Sequence, residues 1–381
     1  MNRQRGAYRW RTGVVAVAVA AVLVVACSSG SSTSASGPAS TSRPTAGTTR
    51  SSGLPGGVTA VPTAVSSAPA RPSSGCASST TAASTGEVTE TMTSGGATRT
   101  YLRYVPPGVD PTQPLPVVID IHGLGSNMTQ QQAVTQFEQL AATQHFVVLT
   151  PNGLNSRWVT VNSRPNADID FLMSMLDQVE AAVCVDTARV YSTGYSDGGL
   201  MSSVLACQVS NRITAVGLVS GITHGPGCQP GRPVPMIVFW GKQDLVLPYY
   251  GGLGEDLRAL LAGKPIPPDV TAPTAPVANP DGFPPVEQVV SSWADTNGCP
   301  ARAATVQAGS DVVQHIYAPC SQDATIRFYV VADGGHAWPG SKVESAAAGA
   351  GKRAPIIGFT TMQVDATRLI WAFFRGYALT S

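Results

Sequence analysis

The chain has few charged residues, no internal repeat and no cysteine pair with the spacing of a zinc site. Only 12% of its 381 residues are charged, and the formal net charge is +1. A surface of this kind has no basic stripe to bind nucleic acid. Without paired cysteines at metal-ligand spacing, a structural zinc site is not indicated either. We therefore expect no nucleic-acid partner, no metal and no cofactor.

The N-terminal segment is typical of an export signal. Several arginines precede an apolar run over residues 14–26, which is shorter than the roughly 20 residues of a membrane-spanning helix. The run ends at Cys27 in a sequence similar to a bacterial lipobox. We predict a signal peptide over residues 1–26 and lipidation of Cys27, with an ordinary secretory signal as the alternative. The protein is then exported and anchored through lipid at the outer face of the cytoplasmic membrane or in the cell envelope.

Residues 27–75 consist mainly of Ser, Thr, Ala, Pro and Gly and have no apolar periodicity. Such a composition predicts a disordered tether, because too little apolar surface can be buried to offset the entropy of ordering. Six cysteines remain beyond Cys27, and an even number in an exported chain is typical of three disulfides. Six cysteines allow 15 pairings, and the residues alone leave the choice open.

Strand and helix patterns alternate along residues 76–381. Residues 98–105 alternate in polarity like an antiparallel strand, the mostly apolar runs Leu115–Ile121 and Ile326–Val331 are typical of buried strands, and residues 128–143 look helical. This order predicts an α/β fold, a mostly parallel central sheet with helices on both faces. Residues 251–285 interrupt the pattern with a long proline-rich segment, for which we predict a lid or a wall of the substrate pocket.

A glycine-rich turn follows one of the predicted strands. Gly194, Ser196 and Gly198 form Gly-x-Ser-x-Gly, which between a strand and a helix is a nucleophile elbow. The glycines are needed because strand and helix approach too closely there for a Cβ atom. A chance match in a chain with 39 glycines is the alternative. The strand before the motif and the helix after it favour Ser196 as a nucleophile.

An activated serine needs a histidine as base and a carboxylate to orient it, and in α/β-hydrolases the acid and then the histidine follow the serine. Of the five histidines, His336 lies in a glycine-rich loop after the last predicted strand. Asp244 follows a strand between Ser196 and His336. A turn aspartate at this position and Asp333 as the acid are the alternatives. The sequence thus predicts Ser196, Asp244 and His336 as catalytic residues.

The oxyanion hole requires backbone N–H groups aimed at the developing negative charge. One donor is expected from Asp197, directly after the nucleophile. The second is expected from the loop that begins at His122, with Leu124 as the first choice and Gly125 as the fallback. The side chain of His122 is expected to brace this loop by hydrogen bonds and not to act as a second base.

Four motifs together resemble those of the secreted polyhydroxybutyrate depolymerase and feruloyl esterase family of α/β-hydrolases. They are His122-Gly-x-Gly, Gly-Tyr-Ser196-Asp-Gly-Gly, Asp244-x-Val-x-Pro-Tyr-x-Gly-Gly and Gly-Gly-His336-Ala-Trp-Pro-Gly. Within this family the chain is similar to actinobacterial lipoproteins of the LpqC/LpqP type. The resemblance covers residues 76–381 and implies an α/β-hydrolase fold that acts on ester bonds. It also implies the disulfides Cys76–Cys184, Cys207–Cys228 and Cys299–Cys320.

The chain departs from the family near the pocket, with Gly-Lys-Gln-Asp244 after Trp240 and a long insertion after Gly252. Both changes bear on the substrate and not on the mechanism. Trp158, Tyr249 and Trp338 are candidates for the substrate pocket, with core packing as the alternative.

No separate carbohydrate-binding module is evident, so small or oligomeric esters are the expected substrates: hydroxyalkanoate oligomers, feruloyl esters or short-chain acyl esters. No obligate protein partner is indicated. Acyl transfer or peptide hydrolysis by the same residues, or surface binding without catalysis, are the alternative functions.

Overall fold

The computed structural model describes residues 65–77, 84–262, 272, 274–275, 282–348 and 357–380. The predicted signal peptide, Cys27 and the tether up to residue 64 lie outside the described residues. The strands are β1 (Gly86–Ser94), β2 (Ala97–Val105), β3 (Leu115–Ile121), β4 (Val147–Pro151), β5 (Val185–Tyr195), β6 (Ala215–Val219), β7 (Met236–Gly241), β8 (Ala304–Gln307), β9 (Val312–Tyr317) and β10 (Ile326–Val331). The α-helices are α1 (Met128–Thr135), α2 (Phe137–Gln144), α3 (Ala167–Ala182), α4 (Asp197–Gln208), α5 (Glu255–Leu261), α6 (Val286–Thr296), α7 (Lys342–Ala348) and α8 (Ala366–Phe374).

The ten strands form one sheet in the order β1-β2-β4-β3-β5-β6-β7-β10-β9-β8. The six central strands from β4 to β10 are parallel to one another, and antiparallel strands close both edges. The carboxyl ends of the parallel strands therefore meet at one edge of the sheet, where ligand sites of α/β proteins form. The predicted α/β fold class is confirmed.

Buried side chains pack on both faces of the sheet, because successive residues of a strand point to opposite sides. In β3, Val117 and Ile119 belong to one apolar cluster with residues of α3, α4 and α6. Val118 belongs to the other cluster, with residues of α2 and α8. This double coverage explains why the central strands are apolar on both faces.

The helical segment predicted over residues 128–143 is divided into two helices. Gln136 adopts a left-handed conformation with φ 55° and ψ 33°, so it ends α1 and begins α2. Left-handed backbone usually selects glycine, and no glycine marks this position. The break turns α2 onto the sheet, where Phe137 and Ala141 are fully buried.

The folded domain begins earlier than residue 76. Residues 65–75, assigned from the sequence to the tether, run along the domain: the Ser73 N–H donates to the Val185 carbonyl, and the Arg71 N–H donates to the Asp186 carboxylate. The predicted boundary is wrong by about ten residues, because these backbone bonds and a neighbouring disulfide offset the entropy of ordering.

The disulfides implied by the resemblance are all formed: Cys76–Cys184, Cys207–Cys228 and Cys299–Cys320.

Candidate active site

Ser196 lies at the turn between β5 and α4 at the carboxyl edge of the sheet. Its φ of 56° and ψ of −119° are sparsely populated for a residue with a side chain. A Cβ on Gly194 would lie 2.3 Å from the Gly198 backbone, and one on Gly198 would lie 1.9 Å from the Ile121 carbonyl oxygen. The two glycines thus let strand, turn and helix pack at distances that present the Ser196 side chain outward.

The side chains of Asp244 and His336 form a buried pair. Asp244 lies three residues beyond the end of β7, and His336 lies in the loop after β10. His336 Nδ1 is 2.8 Å from Asp244 Oδ2, while Asp244 Oδ1 accepts the backbone N–H groups of Val246 and Leu247, each at 2.8 Å. An aspartate held in this way makes Nδ1 the protonated ring nitrogen and leaves Nε2 as an acceptor.

Ser196 and His336 line the same pocket. Asp333, the alternative acid, is exposed to solvent, and it is Asp244 whose carboxylate contacts His336. Of the other histidines, His224 bonds the Thr296 hydroxyl, and His315 lies on β9 near the sheet edge. The structure thus brings the three residues assigned from the sequence to one region of the sheet.

Two of the three residues expected to supply oxyanion donors line the pocket. Leu124 and Asp197 line it, whereas the Gly125 N–H donates to the Ser156 carbonyl at 2.7 Å. The fallback assignment of Gly125 is therefore wrong, because its N–H is already used to hold the loop. Within the described part of the chain, the Leu124 and Asp197 amides have no backbone acceptor, and Asp197 begins α4, whose dipole favours negative charge there.

His122 braces the loop that carries Leu124. The Gly153 N–H donates to His122 Nε2 at 3.0 Å, so the ring proton is on Nδ1, which lies 2.7 Å from the Gly123 carbonyl oxygen. Burial lowers the pKa of His122, opposed by the bond to Gly123. A neutral imidazole with both nitrogens in use serves the loop and not proton transfer.

The aromatic residues expected to line the pocket do not do so. Trp158 donates its indole N–H to the His122 carbonyl at 2.9 Å, Tyr249 donates to the Glu287 carboxylate at 2.6 Å, and Trp338 donates to the Thr367 hydroxyl at 3.0 Å. Each side chain is at most 5% exposed. Their assignment to the pocket is wrong, because these polar bonds and apolar ring contacts are all satisfied inside the fold.

Trp158 still acts on the site indirectly. Its backbone N–H donates to the Asp197 carboxylate at 2.9 Å. Burial raises the pKa of Asp197 to about 6, opposed by the Trp158 bond. The residue after the nucleophile is thereby tied to the loop that follows β4.

The pocket itself has a volume of about 400 Å³ and is mainly apolar. Its wall includes residues of the predicted lid segment, as far as that segment is described: Leu253, Leu257, Leu261 and Phe283. Leu257 and Leu261 lie four residues apart on α5, a spacing that places side chains on one face of a helix, and Leu253 precedes that helix. The spacing of Leu257 and Leu261 is the signal from which these two could have been assigned to the pocket.

Two negative observations apply to the described ranges only. In them, no group of His, Cys, Asp and Glu side chains is arranged to hold a metal ion. No helix among the same residues has the length and apolarity needed to cross a membrane.

A mostly parallel sheet with a serine at the β5–α4 turn and an aspartate–histidine pair beyond later strands defines the α/β-hydrolase class. Residues 99–229 match the model of the family described as Esterase PHB depolymerase. Feruloyl esterase D of Neurospora crassa is 32% identical over 206 residues, which cover 50% of this chain and 67% of that protein. The chain belongs to this esterase family.

Other relatives are matched over a smaller share of their own length. Feruloyl esterase C of Emericella nidulans is 34% identical over 161 residues, 41% of this chain and 58% of that protein. Feruloyl esterase B of Piromyces equi is 26% identical over 242 residues, 61% of this chain and 41% of that protein. The chain spans about half the length of these curated relatives. Among solved structures, an acetyl xylan esterase from Aspergillus awamori is 14% identical with a TM-score of 0.48, covering 66% of this chain and 94% of that one.

Proposed function

We propose that the protein is a serine esterase that hydrolyses carboxylic esters through an acyl-enzyme. The observation that carries the proposal is the shared pocket of Ser196 and His336, with Asp244 bonded to the far nitrogen of the imidazole. Membership of an esterase family and the names of the feruloyl esterase relatives support the same reaction.

In the proposed mechanism, His336 Nε2 removes the proton of the Ser196 hydroxyl as the oxygen attacks the ester carbonyl. The oxyanion formed accepts hydrogen bonds from the Leu124 and Asp197 amides. The imidazolium, stabilised by Asp244, then protonates the departing alcohol and leaves an acyl group on Ser196. A water molecule, deprotonated by His336, attacks that acyl group and restores the free serine.

The acyl group that fits best is apolar, either an aromatic ring, as in feruloyl esters, or an aliphatic chain. Half of the pocket wall consists of apolar side chains: Leu124, Val134, Leu200, Val246, Leu247, Leu253, Leu257, Leu261, Phe283 and Ile357. Burying each methylene of an acyl chain against them is worth about 0.8 kcal/mol. Hydroxyalkanoate oligomers and short acyl esters are accommodated with less contact.

The first experiment tests the reaction. Ser196→Ala should reduce hydrolysis of p-nitrophenyl butyrate to the rate of buffer alone, and a fluorophosphonate probe should label the wild type and not the variant. Wild-type turnover by Ser196→Ala would overturn the proposal. If the probe labelled the wild type but no ester was hydrolysed, and the acyl group was instead transferred to an added alcohol, the protein would be an acyltransferase.

The second experiment tests the acyl site. Leu257→Ser should lower kcat/KM for p-nitrophenyl octanoate by about tenfold, since losing one apolar contact in a pocket costs about 1–3 kcal/mol, and should leave p-nitrophenyl acetate almost unchanged. Met362→Ser is the matched control, because Met362 is an exposed apolar side chain away from the pocket wall. Equal losses on octanoate and acetate would contradict the assignment of the acyl site.

We also propose that the protein is an exported lipoprotein of the actinobacterial LpqC/LpqP type, anchored through Cys27. The three disulfides support an oxidising compartment, and the lipobox-like sequence before Cys27 supports the anchor. In the native host, Cys27→Ser should move the enzyme from the membrane fraction to the soluble fraction. Retention of the variant at the membrane would contradict a lipid anchor at this residue.

A further inference from the structure

A second carboxyl group borders the catalytic pocket. Glu344, on α7, is 3% exposed and lines the pocket together with Ser196 and His336. A buried carboxyl is costly unless its oxygens are hydrogen-bonded or its charge is compensated. The mechanism above does not use Glu344, so its place beside the catalytic histidine requires a separate explanation.

Helix capping does not account for this side chain. Ser341 and Glu344 have the spacing of a capping box, in which the glutamate returns to the N–H of the serine. Here the Glu344 N–H donates to the Ser341 hydroxyl, as in a capping box, but the Ser341 N–H donates to the Trp338 carbonyl. Glu344 Oε2 instead accepts the Trp338 N–H at 2.6 Å. The carboxylate therefore holds the loop that carries His336, two residues before Trp338.

Tyr195 connects the same carboxylate to the nucleophile. It directly precedes Ser196, its hydroxyl donates to the His336 carbonyl, and its ring stacks on the imidazole with a centroid distance of 5.3 Å. Burial raises the pKa of Tyr195, and the neighbouring Glu344 carboxyl raises it further. Glu344, Tyr195 and the His336 loop thus form one connected cluster beside the pocket.

On the proposed esterase mechanism, we propose that Glu344 is a positioning residue that also stabilises the His336 imidazolium. Its hydrogen bond to Trp338 fixes the loop, and its negative charge favours the protonated ring that forms when Ser196 attacks the ester and when water attacks the acyl-enzyme. Asp244 supplies the direct hydrogen bond to the imidazole. Glu344 adds a second negative charge near the ring, and in this role it does not contact the substrate.

The surroundings of Glu344 set the pH above which its carboxyl carries a negative charge. Burial raises the pKa of Glu344 to about 7, opposed by the Trp338 N–H, the Tyr195 hydroxyl and the His336 charge. Helix α1, which packs against α7, has no ionisable side chain, and Lys342 of α7 is exposed. Tyr195 and His336 are the ionisable groups that act on the Glu344 carboxyl.

Glu344→Gln separates charge from structure, since the amide oxygen still accepts the Trp338 N–H. Removing a neighbouring negative charge disfavours the protonated imidazole and lowers its pKa. We expect the acid limb of the kcat/KM profile on p-nitrophenyl butyrate to move about one pH unit lower, with kcat reduced about tenfold and KM little changed. Glu344→Ala also removes the acceptor of the Trp338 N–H, so its kcat should fall further.

Glu138→Gln is the matched control, because Glu138 is a buried carboxyl on α2 that does not line the pocket. Its profile should coincide with that of the wild type. A Glu344→Gln profile that also coincides with the wild type would overturn the proposal, while loss of activity in Ser196→Ala would still support the esterase. Active Ser196→Ala would instead overturn the esterase itself.

If Glu344→Gln does not fold, an NMR titration of the wild type replaces it. The chain has five histidines, so the His336 Cε1 proton can be assigned by comparison with His336→Gln. The chemical shift of this proton should show an inflection near pH 7 from the titration of Glu344. If Glu344 produced no inflection there, the proposal would be overturned.

Discussion

The substitution Gly198→Ala tests the geometry on which the site depends. A Cβ at this position would lie 1.9 Å from the Ile121 carbonyl oxygen and 2.7 Å from the His122 carbonyl oxygen. Ordinary van der Waals contact begins at 3.4 Å, so α4 would have to move away from β3 by about 1.5 Å. Both contacts are with backbone atoms, which cannot rotate out of the way as a side chain can.

The movement would displace the reacting groups, because Ser196 and the Asp197 amide directly precede Gly198. A misplacement of about 1 Å costs roughly 100-fold in rate, and overpacking costs about 1–3 kcal/mol of stability. We expect kcat/KM on p-nitrophenyl butyrate to fall at least about 100-fold, and labelling by a fluorophosphonate to slow by a similar factor. Thermal unfolding of the same sample measures the loss of stability and shows whether the variant is folded during the assay.

Gly231→Ala is the control, since its Cβ would lie at an ordinary 3.6 Å from the Ser210 hydroxyl and its φ is not positive. This variant should keep both activity and melting temperature within the error of the assay. If folded Gly198→Ala kept kcat/KM within about threefold of the wild type, the close packing of the elbow would not be what positions Ser196.

Two further predictions concern buried carboxyls. Asp244→Asn should keep its side-chain oxygen on the Val246 and Leu247 amides and turn its NH₂ toward His336 Nδ1. The imidazole proton is then forced onto Nε2, where it blocks proton removal from Ser196. We expect kcat to fall about 10⁴-fold with an unchanged fold. Burial raises the pKa of Glu138 to about 8, so the folded state keeps a proton that the unfolded state releases, and stability falls as pH rises from about 4.5 to 8. In urea titrations, Glu138→Gln should remove this decrease of the unfolding free energy with pH and be more stable than the wild type at pH 8. If the unfolding free energies of the two proteins depended on pH in parallel, the prediction would be refuted.

The central part of the sheet was predictable because burial on both faces leaves its strands almost wholly apolar. The bounds of β3 and β10 are those expected from the sequence. Strand β1 was not predicted, since it lies at the sheet edge, where its residues alternate between exposed and half-buried and many are polar. The break at Gln136 was also missed, because the left-handed residue there is not the glycine that usually marks such a position.

The proposed catalytic residues could be assigned from the sequence because the fold dictates their order along the chain. The pocket wall could not be assigned in the same way. Large aromatic residues such as Trp158 and Trp338 are as suited to a core as to a pocket, and here their polar atoms are bonded inside the fold. Glu344 has the spacing of a capping box with Ser341, so the sequence suggests a local role and conceals the bond to Trp338.

The turn at Ser196 is held by its two neighbours, which explains how its strained backbone is maintained. Tyr195 bonds the His336 loop on one side, while Asp197 bonds the Trp158 loop on the other. Trp158 in turn bonds the backbone of His122, beside the proposed oxyanion donor. Backbone strain of about 1–3 kcal/mol persists only where the surrounding contacts hold the residue in its strained conformation. The residues on either side of the serine therefore connect it to the loops of its base and its oxyanion donors, so changes in those connections should alter the rate without contacting the substrate.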